Sequence, residues 1–307
     1  MPKVYGFTEY GHADQQDFWD QPIPEPGASE LLISVQAAAV NPVDWKIREG
    51  RMKDFTPLDL PAVLGQEAAG VVEAVGQDVE GFAVGDHVFG AVAPNSGGYA
   101  EYTLLTAELS AKKPPQVSFT DAATLTVAGA TAYDAVRQLN LKEGQVLLIV
   151  GVAGGVGVAA AQLARDAGIT VLGTGSEGKR SLAESLDVIF VDYHQDVVQQ
   201  VRNVMPDGVD AILDTVGGDA LKLAAQVLKK GGPLVTTADP AAVELGGSMV
   251  ERDRSGKNLA EVVALVAEGK LDPHAVDILP FDQAAEALSG VETGHSRGKV
   301  VLEMSQQ

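Results

Sequence analysis

The sequence predicts an α/β protein, with a β-rich domain first and a doubly wound parallel sheet domain after it. Two observations lead to this prediction. From about residue 121 to about residue 246, short apolar runs alternate with alanine-rich helical segments, which is the pattern of parallel strands joined by helical crossovers. Residues 1–115 instead hold short strand-like runs such as "ELLISVQAAAV" and "AAGVVEAVG", separated by Gly and Pro, which is typical of a small barrel.

Length, charge and cysteine content limit the possible functions. The 307 residues suffice for about two domains. The formal net charge of −20 would repel a phosphate backbone, so we expect no nucleic-acid partner. The chain has no cysteine, which excludes a disulfide scaffold, a thiolate nucleophile and a cysteine-ligated metal. The first residues show no basic segment followed by an apolar core, so we expect a cytoplasmic protein.

A stretch without charged residues runs from Gln145 to Ala164 and is long enough to suggest a membrane span. Four glycines near its middle argue against one helix, because each would cost about 1 kcal/mol relative to alanine. The stretch reads instead as a strand, "QVLLIV", a glycine turn and a helix, "VGVAAAQLARDAG", followed by a second strand, "ITVLGT". This βαβ unit predicts no membrane partner.

The glycine turn predicts a phosphate site. Gly154, Gly155, Val156 and Gly157 lie where a strand passes into a helix, and the helix start offers free N–H groups to an anion. Val152 stands where the first glycine of G-x-G-x-x-G would be. The position within a βαβ unit still favours a dinucleotide pyrophosphate. A turn whose glycines serve only close packing is the alternative.

The end of the second strand bears on the choice of dinucleotide. Ser176 is a natural N-cap, and Lys179 and Arg180 follow in the first helical turn, where positive charge opposes the helix dipole. A bound 2′-phosphate would offset that repulsion, so we predict NADPH. Glu177 could instead bond a ribose 2′-OH, and two solvated surface cations are the other alternative.

Further elements complete the pattern. After the second strand we predict a strand in "VDAILDTV", a helix in "DALKLAAQVL" and a strand in "PLVTTA". Near the C-terminal end we predict helices in "NLAEVVALVAEGKL" and "DQAAEAL" and a strand in "GKVVLEM".

Several motifs in order resemble the medium-chain dehydrogenase/reductase superfamily, and within it the zinc-free quinone oxidoreductase (zeta-crystallin-like) group. They are "NPVDWKIREG", "LPAVLGQEAAGVVEAVG", "GFAVGDHVFG", "GGYAEY", "GATAYDAV", "GVAGGVG", "ILDTVGG" and "GHSRGKVVL". The resemblance covers nearly the whole chain. It implies a GroES-like catalytic domain over 1–120 plus 247–307, a Rossmann NADPH-binding domain over 121–246, and a homodimer.

The same resemblance implies that no zinc is bound. Asn41 stands where zinc-dependent members have their first ligand cysteine, and Gln66 replaces the histidine of the usual "GHE". The histidines show no ligand spacing; they are His12, His87, His194, His274 and His295.

The resemblance also implies roles for individual residues. Asn41 and Thr131 are expected near the nicotinamide, and Gly154, Gly155, Val156 and Gly157 at the pyrophosphate. The remaining expectations concern the adenosine end, where Ser176 and Lys179 would bind the 2′-phosphate, Tyr193 would lie beside the adenosine, and Arg297 would reach the phosphates or be a surface arginine.

No catalytic acid follows from the sequence. Asp44 and Lys46 are candidates by analogy, but neither has a sequence partner that marks it. Trp45 could stack on an aromatic acceptor or belong to the core.

We therefore predict a zinc-independent oxidoreductase that transfers hydride from NADPH to a quinone or a similar electron-poor acceptor. The alternatives are an NADPH-dependent reductase of the C=C bond of α,β-unsaturated aldehydes or ketones, and a non-catalytic NADPH-binding protein.

Overall fold

The computed structural model describes residues 1–54, 57–294, 296 and 298–304. The chain divides into two units. Unit 1 consists of the described parts of Met1–Val127, Arg254–Ala267 and His274–Gln307. Unit 2 consists of Ala128–Asp253 and Glu268–Pro273.

Strands and helices are numbered in chain order. The strands are β1 (Lys3–Phe7), β2 (Gln16–Asp20), β3 (Glu30–Val40), β4 (Ala62–Val63), β5 (Glu67–Val75), β6 (His87–Val92), β7 (Tyr102–Lys112), β8 (Val146–Val150), β9 (Thr170–Gly175), β10 (Ile189–Asp192), β11 (Ala211–Asp214), β12 (Leu234–Thr236), β13 (Ser248–Met249), β14 (Ala275–Pro280) and β15 (Lys299–Glu303). The α-helices are α1 (Pro42–Arg48), α2 (Phe119–Ala123), α3 (Ala130–Leu139), α4 (Gly155–Asp166), α5 (Arg180–Ser185), α6 (Val197–Val204), α7 (Gly218–Ala225), α8 (Gly256–Ala267) and α9 (Ala284–Glu292).

Unit 1 is the β-rich part of the chain. Its larger sheet has the strand order β14-β15-β3-β5-β6-β7, and β3 also pairs with β7, so four of these strands close on one another as in a barrel. A smaller sheet has the order β2-β1-β4. Leu31, Ile33 and Leu105 are fully buried in this core.

The C-terminal segment returns to unit 1. Strand β15 pairs antiparallel with β3, from Val300 opposite Val40 to Glu303 opposite Ala37. The buried Arg48 of α1 also holds this segment, because its guanidinium donates two hydrogen bonds of 3.0 and 3.2 Å to the Glu292 carboxylate at the end of α9.

Unit 2 is a doubly wound parallel sheet. Its strand order is β10-β9-β8-β11-β12-β13, and every pair is parallel. All five residues of β8 are buried, as expected for a central strand covered on both faces. The order reverses between β8 and β11, and ligands of such sheets bind beyond the carboxyl ends of the strands at that reversal.

The fold class predicted from the sequence, a β-rich domain together with a Rossmann-type parallel sheet domain, is confirmed by these two sheets. The uncharged stretch from Gln145 to Ala164 forms β8, a turn and most of α4. Among the residues that the structure describes, no helix is long and apolar enough to cross a membrane.

Candidate functional site

The glycine turn of unit 2 connects β8 to α4, with Gly154 as the N-cap of the helix. The structural requirement for glycine differs between its positions. A Cβ on Gly157 would lie 2.5 Å from the carbonyl oxygen of Gly151 and 2.6 Å from that of Val152. Since neither backbone atom can move freely, Gly157 is required for close packing of the helix against the turn.

Gly154 is not explained by packing. A Cβ there would have its nearest neighbour, the Gly151 carbonyl oxygen, at an ordinary contact distance of 3.6 Å, and the residue is exposed. The N-cap has no side chain to bond the first helical turn, so the N–H groups of Gly155, Val156 and Gly157 start the helix without a side-chain cap. A Cβ at this position would therefore have room beside it at the start of the helix. The residues therefore fit a phosphate, and their contact with a pyrophosphate stays a prediction.

Two threonines, one in β9 and one directly after β11, hold this turn from the two strands that flank β8. The Thr174 hydroxyl accepts a hydrogen bond from the Gly151 N–H at 3.1 Å, and its carbonyl accepts one from the Val152 N–H at 3.1 Å. The Thr215 hydroxyl donates to the Val150 carbonyl at 2.7 Å. The turn is thus fixed by the residues that end β9 and follow β11 before any ligand arrives.

The segment after β9 carries the residues predicted for the 2′-phosphate. Ser176 precedes a 3₁₀ turn over Glu177–Lys179, and both Ser176 and Lys179 are partly buried. The Glu177 carboxylate accepts two hydrogen bonds from Arg180, at 2.8 and 2.9 Å, and these bonds lower the Glu177 pKa. Arg180 also lies 4.4 Å above the Phe190 ring. Glu177, the alternative ligand for a ribose hydroxyl, is therefore already paired with Arg180.

Tyr193 follows β10, the next strand of the sheet. Its N–H donates to the Gly175 carbonyl at 3.2 Å, which ties it to the residue before Ser176. The residue is 53% exposed, and the centre of its ring lies 4.4 Å from that of His194. The glycine turn, Ser176 and Tyr193 thus follow the carboxyl ends of three adjacent strands, β8, β9 and β10. They therefore lie along one edge of unit 2. Arg297 lies outside the described residues.

Thr131 and Asn41 belong to different units. Thr131 lies in the first turn of α3 in unit 2 and is buried. Asn41 is the N-cap of α1 in unit 1, is also buried, and lies within a group of polar side chains. We call this group the Glu67 network; its members are Asn41, Asp44, Glu67, Tyr99 and Lys299.

Strand register explains how the Glu67 network forms. The pairing of Val300 with Val40 brings Lys299 beside Asn41, although 258 residues separate Lys299 from Asn41 along the chain. The Lys299 ammonium donates to the Asn41 side-chain oxygen at 2.6 Å and to a Glu67 oxygen at 3.3 Å. The Asn41 amide nitrogen donates to the same Glu67 oxygen at 2.8 Å. Asn41 therefore lies between a cation and an anion, and both ends of its amide have partners.

Asp44 has partners that the sequence did not reveal. One carboxylate oxygen accepts hydrogen bonds from the Asn41 N–H at 2.7 Å and the Tyr99 hydroxyl at 2.8 Å. The other oxygen has no hydrogen-bond partner among the described residues. Burial raises the pKa of Asp44 to about 7, and burial with the neighbouring Asp44 raises the pKa of Tyr99 well above its usual value. Asp44 can therefore keep its proton close to neutral pH.

Trp45 and Lys46 follow Asp44 in α1 and are both partly buried. Trp45 is partly buried and packs against the core of unit 1. The Lys46 ammonium lies 5.6 Å and the Arg51 guanidinium 4.7 Å from the centre of its ring. Of the two sequence interpretations of Trp45, the structure favours the core residue.

The donor set around Asn41 does not fit a zinc ion. Asn41 and Gln66 offer amides, whereas zinc sites use thiolate, imidazole or carboxylate ligands. The carboxylate of Glu67 is already bonded to the Lys299 ammonium, which would repel a metal cation at the Asn41 oxygen. Within the described ranges, no cluster of three or more His, Asp or Glu side chains is arranged to hold a metal.

Sequence reasoning missed Glu67, Tyr99 and Lys299 as members of a site. All three lie in motifs that carry the family resemblance, "LGQEAAG", "GGYAEY" and "GKVVL". A signal was present, because acidic and basic residues within otherwise apolar strand segments are rarely buried without a partner. It could not say which residues pair.

Two known domain families match the chain. The family described as "Alcohol dehydrogenase GroES-like domain" matches residues 27–115, and "Zinc-binding dehydrogenase" matches residues 186–302. Among curated proteins, the chain is 34% identical to a 2-methylene-furan-3-one reductase of Solanum lycopersicum over 98% of its own length and 78% of the relative's. It is 33% identical to an NADPH-dependent alkenal/one oxidoreductase, chloroplastic, of Arabidopsis thaliana, over 98% and 79%.

Solved structures agree with these matches. A quinone oxidoreductase from Coxiella burnetii superposes with a TM-score of 0.89 at 31% identity, covering 99% of each chain. A mycobacterial structure complexed with NADPH superposes with a TM-score of 0.87 at 29% identity, covering 99% of this chain and 100% of that one.

Proposed function

Because the chain belongs to the medium-chain dehydrogenase/reductase family, we propose that it transfers hydride from NADPH to a quinone or a similar electron-poor acceptor without zinc. One observation carries the proposal: the uncapped helix start at Gly154, the Ser176–Lys179 segment and the exposed ring of Tyr193 follow three adjacent strands. That order suits the pyrophosphate, 2′-phosphate and adenine of one dinucleotide.

Each of these residues has a separate task. The N–H groups of Gly155, Val156 and Gly157 bind the pyrophosphate, and the fixed turn requires no rearrangement to do so. Lys179 and Ser176 bind the 2′-phosphate, while Arg180 stays neutralised by Glu177. Bound NADPH supplies the hydride.

At the nicotinamide end, we assign Asn41 of unit 1 as the residue that orients the ring. Asn41 does so from a fixed amide, because Lys299 and Glu67 hold its two ends. Asp44 is fully buried, so we assign the proton that completes the reduction to water and not to Asp44. Rate enhancement then comes from positioning and from exclusion of bulk water.

Reduction of a C=C bond is the second candidate. Two relatives, named as a 2-methylene-furan-3-one reductase and as an alkenal/one oxidoreductase, favour it. The cofactor site serves either reaction, since an enone, like a quinone, accepts hydride at an electron-poor carbon. Stable NADPH binding without turnover of any acceptor would indicate the third candidate, a non-catalytic NADPH-binding protein.

One assay separates these candidates. Purified protein is mixed with NADPH or NADH, each with a small quinone, with a small enone, or with neither, and the absorbance of reduced nicotinamide is followed. We expect quinone-dependent loss of NADPH and much slower loss of NADH. Faster loss with the enone, with the saturated ketone as product, would replace quinone by C=C reduction. Loss with NADH alone would overturn the cofactor assignment and favour Glu177 as the ribose ligand.

We also propose a homodimer formed through unit 2. Strand β13 lies at the edge of its sheet, and apolar side chains near it are exposed: Val243 is 65%, Leu245 41% and Met249 37% exposed. Sedimentation equilibrium should give twice the chain mass, and Met249→Lys should weaken the dimer. A monomer at micromolar concentration would contradict this proposal.

The cytoplasmic location is likewise a proposal, and it rests on the amino-acid sequence alone. Cell fractionation followed by immunodetection tests it. Recovery of the protein in an organelle fraction would contradict it.

A further inference from the structure

Glu67 is the centre of the polar network in unit 1. Its fully buried carboxylate receives three hydrogen bonds from separate parts of the chain. One oxygen accepts from the Asn41 amide at 2.8 Å and from the Lys299 ammonium at 3.3 Å. The other oxygen accepts from the Val127 N–H at 2.7 Å. Both oxygens therefore act as acceptors, which suits a carboxylate because it offers acceptors at each end and no donor.

Lys299 supplies the opposite charge. Its ammonium has three N–H groups and three acceptors, which are the Asn41 side-chain oxygen, the Glu67 carboxylate and the Val40 carbonyl. A buried pair of this kind adds little stability over apolar residues of similar volume, because desolvation offsets the attraction. The two buried charges are therefore better explained by their effect on the position of the groups that they bond.

The geometry has a direct effect on Asn41. An asparagine amide has a donor end and an acceptor end that differ little in shape, so its orientation depends on its partners. Here the anion faces the NH₂ group and the cation faces the oxygen. Rotation by 180° would bring two donors together at Lys299 and two acceptors together at Glu67. The amide is held in one orientation.

Glu67 also fixes the chain at Val127. This residue lies in a π-helical turn over Leu125–Gly129, and the chain continues from that turn directly into α3, whose first turn contains Thr131. One carboxylate thus bonds both the Asn41 amide and the backbone of the turn that leads into α3.

We infer that Glu67, with Lys299 as its counter-ion, is a positioning residue for the nicotinamide end of the cofactor and does not act on its adenosine end. This inference rests on the proposed function, since it assumes that NADPH is the ligand. Glu67→Gln is the test, because a carboxamide keeps the volume but must present its NH₂ group to one of the three donors. We expect about a tenfold weaker affinity for NADPH, and an affinity for 2′,5′-ADP, which lacks the nicotinamide half, within about twofold of the wild type.

Two further variants make the result interpretable. Glu73→Gln changes an exposed glutamate of the same strand and should alter neither affinity. The double variant Glu67→Gln/Lys299→Met removes both buried charges, so it should recover the wild-type melting temperature if Glu67→Gln is unstable. It should still show the selective loss of NADPH affinity, because Asn41 is no longer held.

The outcomes separate the inference from the function on which it rests. Equal losses for NADPH and 2′,5′-ADP, or unchanged NADPH affinity in both Glu67 variants, would overturn the positioning role while leaving the proposed function in place. Failure of the wild-type protein to bind NADPH would overturn the proposed function itself. Selective loss in both variants, with Glu73→Gln unchanged, supports the inference.

Discussion

The two units present their polar groups in opposite ways. Unit 2 presents backbone: an uncapped helix start at Gly154, exposed to solvent and held from behind by Thr174 and Thr215. Unit 1 buries side chains: Glu67 and Lys299 are an ion pair with almost no exposure, and Asn41 is held between them. The first arrangement adds no charged side chain, whereas the second places two charges inside a core.

This difference suits a chain with a formal net charge of −20. Backbone N–H groups can attract phosphate where the overall charge repels it, because their partial charges act within the first helical turn. Buried side chains cannot attract a distant ligand, but they can hold one amide in one orientation. Under the proposed function, unit 2 therefore provides affinity for the phosphates and unit 1 provides orientation.

The largest expected effect comes from separating the buried ion pair. Lys299→Met leaves the Glu67 carboxylate without its counter-ion and should lower the free energy of unfolding by about 3–5 kcal/mol, as urea denaturation would measure. Adding Glu67→Gln to this variant should recover much of that loss. A loss below about 1 kcal/mol for Lys299→Met would mean that water reaches Glu67, and the contrast with unit 2 would weaken.

The next effect is the pH dependence of Asp44. Its pKa is raised from 3.8 to about 7 by burial, so the folded state holds a proton that the unfolded state releases. Asp44 thus stabilises the fold fully below about pH 4, and this contribution is lost as the pH rises to about 7.

Asp44→Asn removes this titration. The free energy of unfolding of Asp44→Asn relative to wild type should therefore increase by a few kcal/mol from pH 4 to pH 7 and then stay level. Asp78→Asn, at an exposed position, is the control and should show no such trend. A constant difference for Asp44→Asn would show that its carboxyl is ionised throughout.

A matched pair of glycine variants tests the exposed backbone of unit 2. Gly157→Ala should cost about 1–3 kcal/mol, because its Cβ meets two backbone carbonyls. Gly154→Ala should change stability by less than about 1 kcal/mol but weaken NADPH binding about tenfold. Thermal unfolding and ligand titration measure the two effects. Wild-type NADPH affinity in Gly154→Ala would place the pyrophosphate elsewhere.

The smallest effect concerns cofactor choice. Lys179→Ala should reduce the preference for NADPH over NADH about tenfold, which corresponds to one hydrogen bond to a charged group, and should leave NADH affinity unchanged. Lys222→Ala, which breaks an exposed pair with Asp219, serves as the control. An unchanged preference in Lys179→Ala would show that Lys179 does not bind the 2′-phosphate and is a surface cation only.

The same contrast decides how much could be predicted from the sequence. The glycine turn is local: strand, glycines and helix lie within one stretch, so its place in a parallel sheet could be predicted and is confirmed. The pairing of Arg180 with Glu177 is also local, at a spacing of three residues, and could have been expected from helical geometry.

The Glu67 network is not local. Lys299 meets Asn41 only because β15 returns from the C-terminal end to pair with β3. The Tyr99 hydroxyl reaches Asp44 across 55 residues of sequence. Motifs containing each residue were recognised by resemblance, but no spacing rule connects residues so far apart. The depth of burial that raises the pKa of Asp44 is likewise a property of the assembled core.

The proposal that hydride transfer needs no zinc depends on unit 1, where amides and a buried ion pair surround Asn41. The most direct measurement is the rate of quinone-dependent NADPH consumption alongside the zinc content of the same sample, before and after treatment with a chelator. The account predicts full activity at far below one zinc per chain and no change on chelation. A rate that falls with the zinc content and returns when zinc is added would contradict it.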